Sequence, residues 1–340
     1  MADGEDVQEI TFEQALDCTQ NFQRDLLLGN GFSIGGHDAF DYSQLLVRAS
    51  VPDDVSAIFA SARTSNFEAV MRILLAEAQG AGGQPAADAR RKIGALKTAL
   101  VHSIHEVHPE RRNRISSDRW ARCEAFLEHF IGRKRPGGRI FTTNYDLLLC
   151  WAVAADREIG ENRRLNAYEG FRGGPYQGVG EATIIYLHGA LHLVRDQWGE
   201  RQLQYRGTGV ALHDQIKAQL ERGEYPIFVS EGASSLKEPK SPGFLKDAHG
   251  AFRGTCNTQT KRALFTLGHG LGPEDAHILS RIAKGKIPNV YLGAFGRREM
   301  ETFHPIARSW VAARAKAGRP SLKVFIFDST GVVWGPSKTN

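Results

Sequence analysis

The chain has 340 residues and a formal charge of +5 from 43 basic and 38 acidic side chains, with 41% hydrophobic and 24% charged residues. That composition is ordinary for a folded globular chain with a substantial core, and so mild a positive balance reads as solvated surface charge, though it would also suit an anionic ligand. Cys18, Cys123, Cys150 and Cys256 form no C-x-x-C pair, which argues against a disulfide framework and a four-cysteine zinc site, and no run approaches the ~20 apolar residues of a membrane span. Met1 to Glu9 is acidic and lacks an apolar signal core, so a cytoplasmic chain outside the membrane is expected.

Thr11-Phe12-Glu13-Gln14 has capping-box spacing ahead of a helical face formed by Phe12, Ala15, Leu16 and Phe22. Asp25-Leu26-Leu27-Leu28 is a short apolar run of the kind covered on both faces of a sheet. It breaks at Gly29-Asn30-Gly31-Phe32-Ser33-Ile34-Gly35-Gly36. A glycine-rich turn after a strand lets backbone N–H groups approach a phosphate, although a plain tight turn has the same sequence and the spacing is not G-x-G-x-x-G.

From about Leu45 to Arg135 the periodicity is helical. Phe67, Val70, Met71, Leu74 and Leu75 share a face, as do Ile93, Leu96, Leu100, Ile104 and Val107, and again Trp120, Cys123, Phe126, Leu127 and Phe130. Gly80 to Ala87, rich in small residues and holding Pro85, reads as a connector. His102, His105 and His108 fall three apart, but no carboxylate accompanies them and Pro109 ends the pattern, so no metal is expected there. Arg111, Arg112, Arg114, Arg119, Arg122, Arg133, Lys134 and Arg135 lack interleaved aromatics and read as a solvated face; direct nucleic-acid binding is not expected.

A second strand end follows at Arg139-Ile140-Phe141-Thr142-Thr143-Asn144-Tyr145-Asp146, where polar side chains crowd the turn before the apolar helix that begins at Leu147. This reads equally as a helix cap or as a ligand-binding strand end. Gly170 to Gly180 reads as a mobile glycine-rich loop. Thr183 to Leu187 is another buried strand and ends in His188-Gly189. A histidine there either bonds a neighbouring carbonyl or serves as a base. His192 follows by four but without the glutamate of a zinc-protease helix.

Further strands are expected at Pro226 to Val229 (ending in Ser230-Glu231-Gly232), Ala263 to Leu267 (ending in Gly268-His269-Gly270), Asn289 to Leu292 and Leu322 to Phe327. Strands alternating with helices predict a Rossmann-like α/β fold: a doubly wound, mostly parallel sheet with an inserted helical subdomain. The expected division is residues 1–44 and 136–340 for the α/β domain and 45–135 for the helical insertion. The polar strand ends should gather at one sheet edge.

Three of those ends, in this order, resemble the sirtuin superfamily. Gly29-Asn30-Gly31-Phe32-Ser33 resembles its dinucleotide loop. Thr142-Thr143-Asn144-Tyr145-Asp146 is similar to its Thr-Gln-Asn-Ile-Asp motif and closer to the Thr-Thr-Asn-Tyr-Asp of bacterial sirtuin-like defence effectors. His188-Gly189 resembles the catalytic His-Gly, and Gly268-His269-Gly270 stands where sirtuins carry Gly-Thr-Ser. The chain departs from the deacylases in lacking their four-cysteine zinc ribbon.

The resemblance implies an NAD+ hydrolase of the NAD-depleting antiphage type, with NAD as substrate and no metal. It implies catalytic roles for Asn144, His188 and Asp146. It assigns NAD contacts to Gly29, Asn30, Gly31, Phe32, Ser33, Thr142, Thr143, Gly268, His269 and Gly270. An effector that destroys NAD needs restraint, so a homo-oligomer or a partner protein of a bacterial defence system is expected. The alternatives are a non-catalytic NAD or ADP-ribose sensor, and a deacylase or ADP-ribosyltransferase acting on protein.

Overall fold

A computed structural model describes residues 6–37, 40, 42–109, 112–134, 137–158, 164–171, 174–203, 211–222, 224, 226–228, 243–259 and 261–335. The chain opens with a short strand, β1 (Val7–Glu9), then α1 (Phe12–Cys18) and β2 (Gln23–Leu28). Thr11 caps α1 as its spacing predicts: Thr11 Oγ1 accepts the Gln14 N–H at 3.2 Å and Gln14 Oε1 accepts the Thr11 N–H at 2.8 Å. β2 is buried from Arg24 to its end, as its apolar run requires.

The glycine-rich stretch is not an open turn. It forms a short helix, α2 (Asn30–Gly36), that begins directly after Gly29. Next come α3 (Tyr42–Arg48), α4 (Asp53–Ala62), α5 (Phe67–Gly80), α6 (Gly83–Val107) and α7 (Ser117–Ile131). The connector expected over Gly80 to Ala87 shrinks to Ala81 and Gly82. Pro85 lies in the first turn of α6, where its missing N–H forfeits no intrahelical bond.

The remainder runs β3 (Ile140–Thr142), α8 (Leu148–Glu158), β4 (Ile184–Tyr186), β5 (Gly189–Asp196), β6 (Gly199–Gln202), α9 (Leu212–Glu221), β7 (Pro226–Phe228), α10 (Gly243–Cys256), β8 (Arg262–Leu267), α11 (Ala276–Lys284), β9 (Asn289–Ala294), α12 (Gly296–Lys316) and β10 (Lys323–Asp328). Seven strands form one sheet in the order β1-β10-β9-β8-β2-β3-β4, and every neighbouring pair is parallel. Leu26, Leu28, Ile140 and Tyr186 face α1 and α5 to α8, while Leu27, Phe141, Ile185 and Leu264 face α10 to α12. Helices therefore cover both faces, and the fold is a doubly wound, Rossmann-like α/β sheet.

From β2 the chain winds outward through β3 and β4 on one side, and returns through β8, β9 and β10 on the other. The reversal of winding lies between β2 and β8, where Leu28 pairs with Leu267. Such switch points are where open α/β sheets bind ligands.

Two strand assignments differ from expectation. Pro226–Phe228 does not join the parallel sheet but pairs antiparallel with β5 in a second, three-stranded sheet, β6-β5-β7; Val229 to Gly232 lie outside the described residues. An apolar run of that length cannot announce which sheet it enters. The seventh parallel strand is instead Val7–Glu9, too short and acidic to stand out.

The Gly170 to Gly180 stretch is tied down where described: Phe171 bridges Tyr176, Pro175 bridges Arg201, and the Tyr176 hydroxyl donates to Asp247 at 2.7 Å. Arg172 and Gly173 lie outside the described residues. Among the described residues, no helix is long and apolar enough to cross a membrane.

Candidate functional site

At the switch point two strand-end turns press against each other. Gly29 N–H donates to Leu267 O at 3.0 Å and Gly31 N–H to Gly268 O at 2.7 Å. A Cβ on Gly268 would stand 2.3 Å from Phe32 N, and one on Gly31 would stand 2.7 Å from Gly268 Cα. Gly268 also has φ +64°, a conformation that favours glycine. These glycines thus permit backbone to pack on backbone.

Asn144 projects into this junction from the turn after β3. Thr142 Oγ1 accepts the Asn144 N–H at 3.0 Å and the Thr143 N–H donates to Leu28 O at 3.0 Å, so both threonines brace the turn. Asn144 Nδ2 donates to Gly29 O at 3.0 Å and to Ser33 Oγ at 2.8 Å. A carbonyl can only accept, which fixes the amide's orientation. Ser33 in turn donates to Asp146 Oδ2, and Asp146 Oδ1 accepts the Leu148 N–H at 2.8 Å. Burial pushes the Asp146 carboxyl up, and the Ser33 and Leu148 bonds pull against it. Asn144 Oδ1 is buried and has no hydrogen-bond donor among the described residues.

The other site residues at the junction are placed as follows. Asn30 Nδ2 donates to Phe40 O at 2.9 Å. The Phe32 ring is buried against Trp334, whose Nε1 donates to Phe32 O at 2.7 Å. Trp334 thereby locks α2, and with it Ser33. Gly270 is exposed.

His188 stands two residues beyond β4, as Asn144 stands two beyond β3, and Thr142 pairs with Tyr186. The two are therefore level on neighbouring strand ends, each held by its own group. The His188 ring runs beside Tyr145 at 6.1 Å and beside His277 at 5.6 Å between centroids. His188 Nε2 lies 3.4 Å from Asp275 Oδ1, and His269 Nε2 lies 3.0 Å from Asp275 Oδ2. Gly189, at φ 79°, then turns the chain into β5.

Burial raises the Asp275 carboxyl, but the His269 bond and the nearby imidazoles outweigh it and hold the group at about 2. His249 of α10 completes the cluster: its Nε2 bonds Leu187 O at 2.9 Å and its ring lies 5.5 Å from His277. Burial, then the His188 and His277 imidazoles, depress it to about 3.

No sequence pattern marks Asp275, His277 or His249: the first two fall at the start of α11 and the third inside α10, and none belongs to a spaced ligand motif. Among the described residues, two groups have metal-ligand character, Cys150 with Glu169 and His192, and His188 with Asp275 and His277.

Of the triplet His102, His105 and His108, the first and last sit in different surroundings. His102 is exposed, the His105 side chain lies outside the described residues, and His108 is buried, accepting the Leu147 N–H at 2.9 Å. The basic cluster is not wholly solvated either: Arg112 lies over Trp120 at 5.3 Å and Arg119 over Trp334 at 5.9 Å, while Arg111 and Arg135 are outside the described residues.

Fold and site together define a doubly wound α/β protein with a buried polar junction at its switch point. The chain belongs to a family described as a domain of unknown function (DUF4917), whose model matches residues 26–334. That span includes Asn144, His188, Asp275 and Trp334. No curated protein matches the sequence.

Proposed function

We propose that this chain is an NAD+ hydrolase that cleaves the nicotinamide–ribose bond and releases nicotinamide and ADP-ribose. The observation that carries the reading is Asn144, whose amide nitrogen is fixed by Gly29 and Ser33 while its oxygen is buried without a donor among the described residues. A buried acceptor left unpaired is unfavourable by about 1–3 kcal/mol, so such a group marks a place kept for a ligand or water. A ribose hydroxyl or the attacking water fits it, at the switch point where doubly wound sheets take nucleotides.

The bond between the nicotinamide nitrogen and the anomeric carbon breaks through an oxocarbenium-like state, and nicotinamide departs as a neutral molecule. Water adds to the anomeric carbon and gives up one proton. His188 accepts that proton, and the Asp275 carboxylate, with Oδ1 3.4 Å from Nε2, stabilises the imidazolium that forms. Asp146 uses one lone pair of each oxygen on Ser33 and Leu148, and a carboxylate has about four, so it can still accept from the nicotinamide carboxamide.

Gly29, Gly31 and Ser33 receive the pyrophosphate once the Gly31 N–H leaves Gly268 O, so the closed junction is the resting form. Gly268, His269 and Gly270 line the adenosine side. The resemblance to defence effectors suggests NAD depletion during phage infection, under restraint by a homo-oligomer or a partner protein.

Incubation of the pure chain with NAD+ should yield nicotinamide and ADP-ribose in equal amounts. Product formation only in the presence of an acyl-lysine peptide would replace hydrolysis with deacylation. Binding of NAD+ with no product would replace it with sensing. Phage should plate less well on cells carrying the intact chain than on cells carrying Asn144→Ala; equal plating would remove the defence role.

A further inference from the structure

Asp275 is surrounded by more imidazole than a carboxylate needs. His188, His269 and His277 all act on it electrostatically, and His249 stands behind His277. We infer that His188, Asp275 and His277 bind one divalent first-row transition ion, with zinc as the representative, and that the bound ion silences the neighbouring site. The binding claim stands alone; the silencing rests on the hydrolase reading.

One ligand atom from each of the three residues lies within 4.8 Å of the others. Two ligands about 2.0–2.2 Å from zinc at a tetrahedral angle stand about 3.3 Å apart. His188 Nε2 and Asp275 Oδ1 are 3.4 Å apart already. Asp275 Oδ1 is buried and accepts no hydrogen bond among the described residues, which leaves its lone pairs to an ion.

The other oxygen, Oδ2, faces His269 Nε2 at 3.0 Å. His269 Nδ1 accepts the Leu271 N–H at 3.1 Å, so the neutral ring carries its proton on Nε2, toward the carboxylate. Outer partners of this kind orient ligating carboxylates. His277 is the least buried of the three, although both of its ring nitrogens are buried.

Two imidazoles and one carboxylate, with no thiolate, suit zinc, cobalt, nickel or ferrous iron better than magnesium or calcium, and leave further coordination positions open. The Cys150, Glu169 and His192 group is the weaker candidate. All three are buried, and Glu169 already accepts from the Tyr186 hydroxyl at 2.8 Å and from Gln202.

An ion held by His188 Nε2 fixes the ring's one proton on Nδ1, so neither nitrogen keeps a lone pair with which to accept the proton from water. The metal-bound form is then inactive, and chelation restores it. His277, which has no part in the proposed chemistry, supplies the variant that separates binding from catalysis.

The test is a Co2+ titration of the full chain followed by visible absorption, with Zn2+ displacing the cobalt. One ion per chain is expected, and His277→Asn and Asp275→Asn should each weaken binding at least about tenfold. Equal cobalt affinity in the wild type and both variants, or none in the wild type, overturns the site. In the activity arm Zn2+ should stop nicotinamide release by the wild type and leave His277→Asn hydrolysing. Zinc binding at these residues without inhibition overturns the silencing role. If no preparation releases nicotinamide, the hydrolase reading fails while the cobalt titration still decides the site.

Discussion

The two ends of the parallel strands treat buried polar groups in opposite ways. Toward the amino side, Asp25 is wholly buried, yet Arg262 bonds both its oxygens and the Arg139 N–H donates to Oδ1 at 2.9 Å. Arg314 is likewise buried, and its guanidinium donates to Ile282 O at 2.8 Å, Ile287 O at 2.6 Å and Ala283 O at 3.3 Å, capping the end of α11. At the carboxyl side, Asn144 Oδ1 and Asp275 Oδ1 are buried with no hydrogen-bond donor among the described residues. The first pattern is what a sheet needs to fold. The second is tolerated only where something else completes it, because each orphaned acceptor is unfavourable on its own.

Substitutions at the two ends should therefore fail differently. The largest effect is expected at the carboxyl end on activity: His188→Ala should lower nicotinamide release about 100- to 10,000-fold, the range of a lost general base, with thermal unfolding little changed. A variant that is inactive because it is unfolded would blur the contrast, and circular dichroism checks this. At the amino end Asp25→Ala should destabilise by about 3–5 kcal/mol in urea unfolding, since it strands the Arg262 charge. A loss below about 1 kcal/mol would show that this buried pair does not hold the strands.

Gly268→Ala tests the junction itself. The new methyl would meet Phe32 N in a backbone that disfavours alanine, and a loss of about 1–3 kcal/mol is expected. Unchanged stability would mean the two turns are not pressed together.

The smallest effect concerns pH. His249 falls from the ordinary 6.5 to about 3 in the fold, so the unfolded chain takes up its proton first. Its contribution is whole above about pH 6.5 and is lost as the pH drops toward 3. Asp275, held at about 2 against an ordinary 3.8, adds stability above pH 3.8 that fades as the pH falls through 2. His249→Gln should flatten the upper of these two windows in urea titrations; an unaltered pH profile would contradict it.

The strand ends were legible because a short apolar run followed by glycine and a polar residue has few other uses. Leu28-Gly29, Leu187-His188 and Leu267-Gly268 are such ends. The helical faces of Phe67–Gly80 and Ser117–Ile131 were equally plain, since the period of apolar residues survives any neighbour. What stayed hidden was tertiary. No local pattern says that Pro226–Phe228 pairs with β5, or that Asn30–Gly36 coils into a helix while Gly29 and Gly31 serve contact with Gly268. The Asp275 cluster joins β4, β8, α10 and α11, so its spacing carries no motif. Only the folded chain makes His188, Asp275 and His277 neighbours.

The account turns on Asn144, and the most direct test is chromatographic measurement of nicotinamide released from NAD+ by the purified wild type and by a folded Asn144→Ala chain. Release by the wild type and its loss in the variant is the predicted result. Equal release by both, or none by the wild type under any condition that leaves it folded, would contradict the central claim.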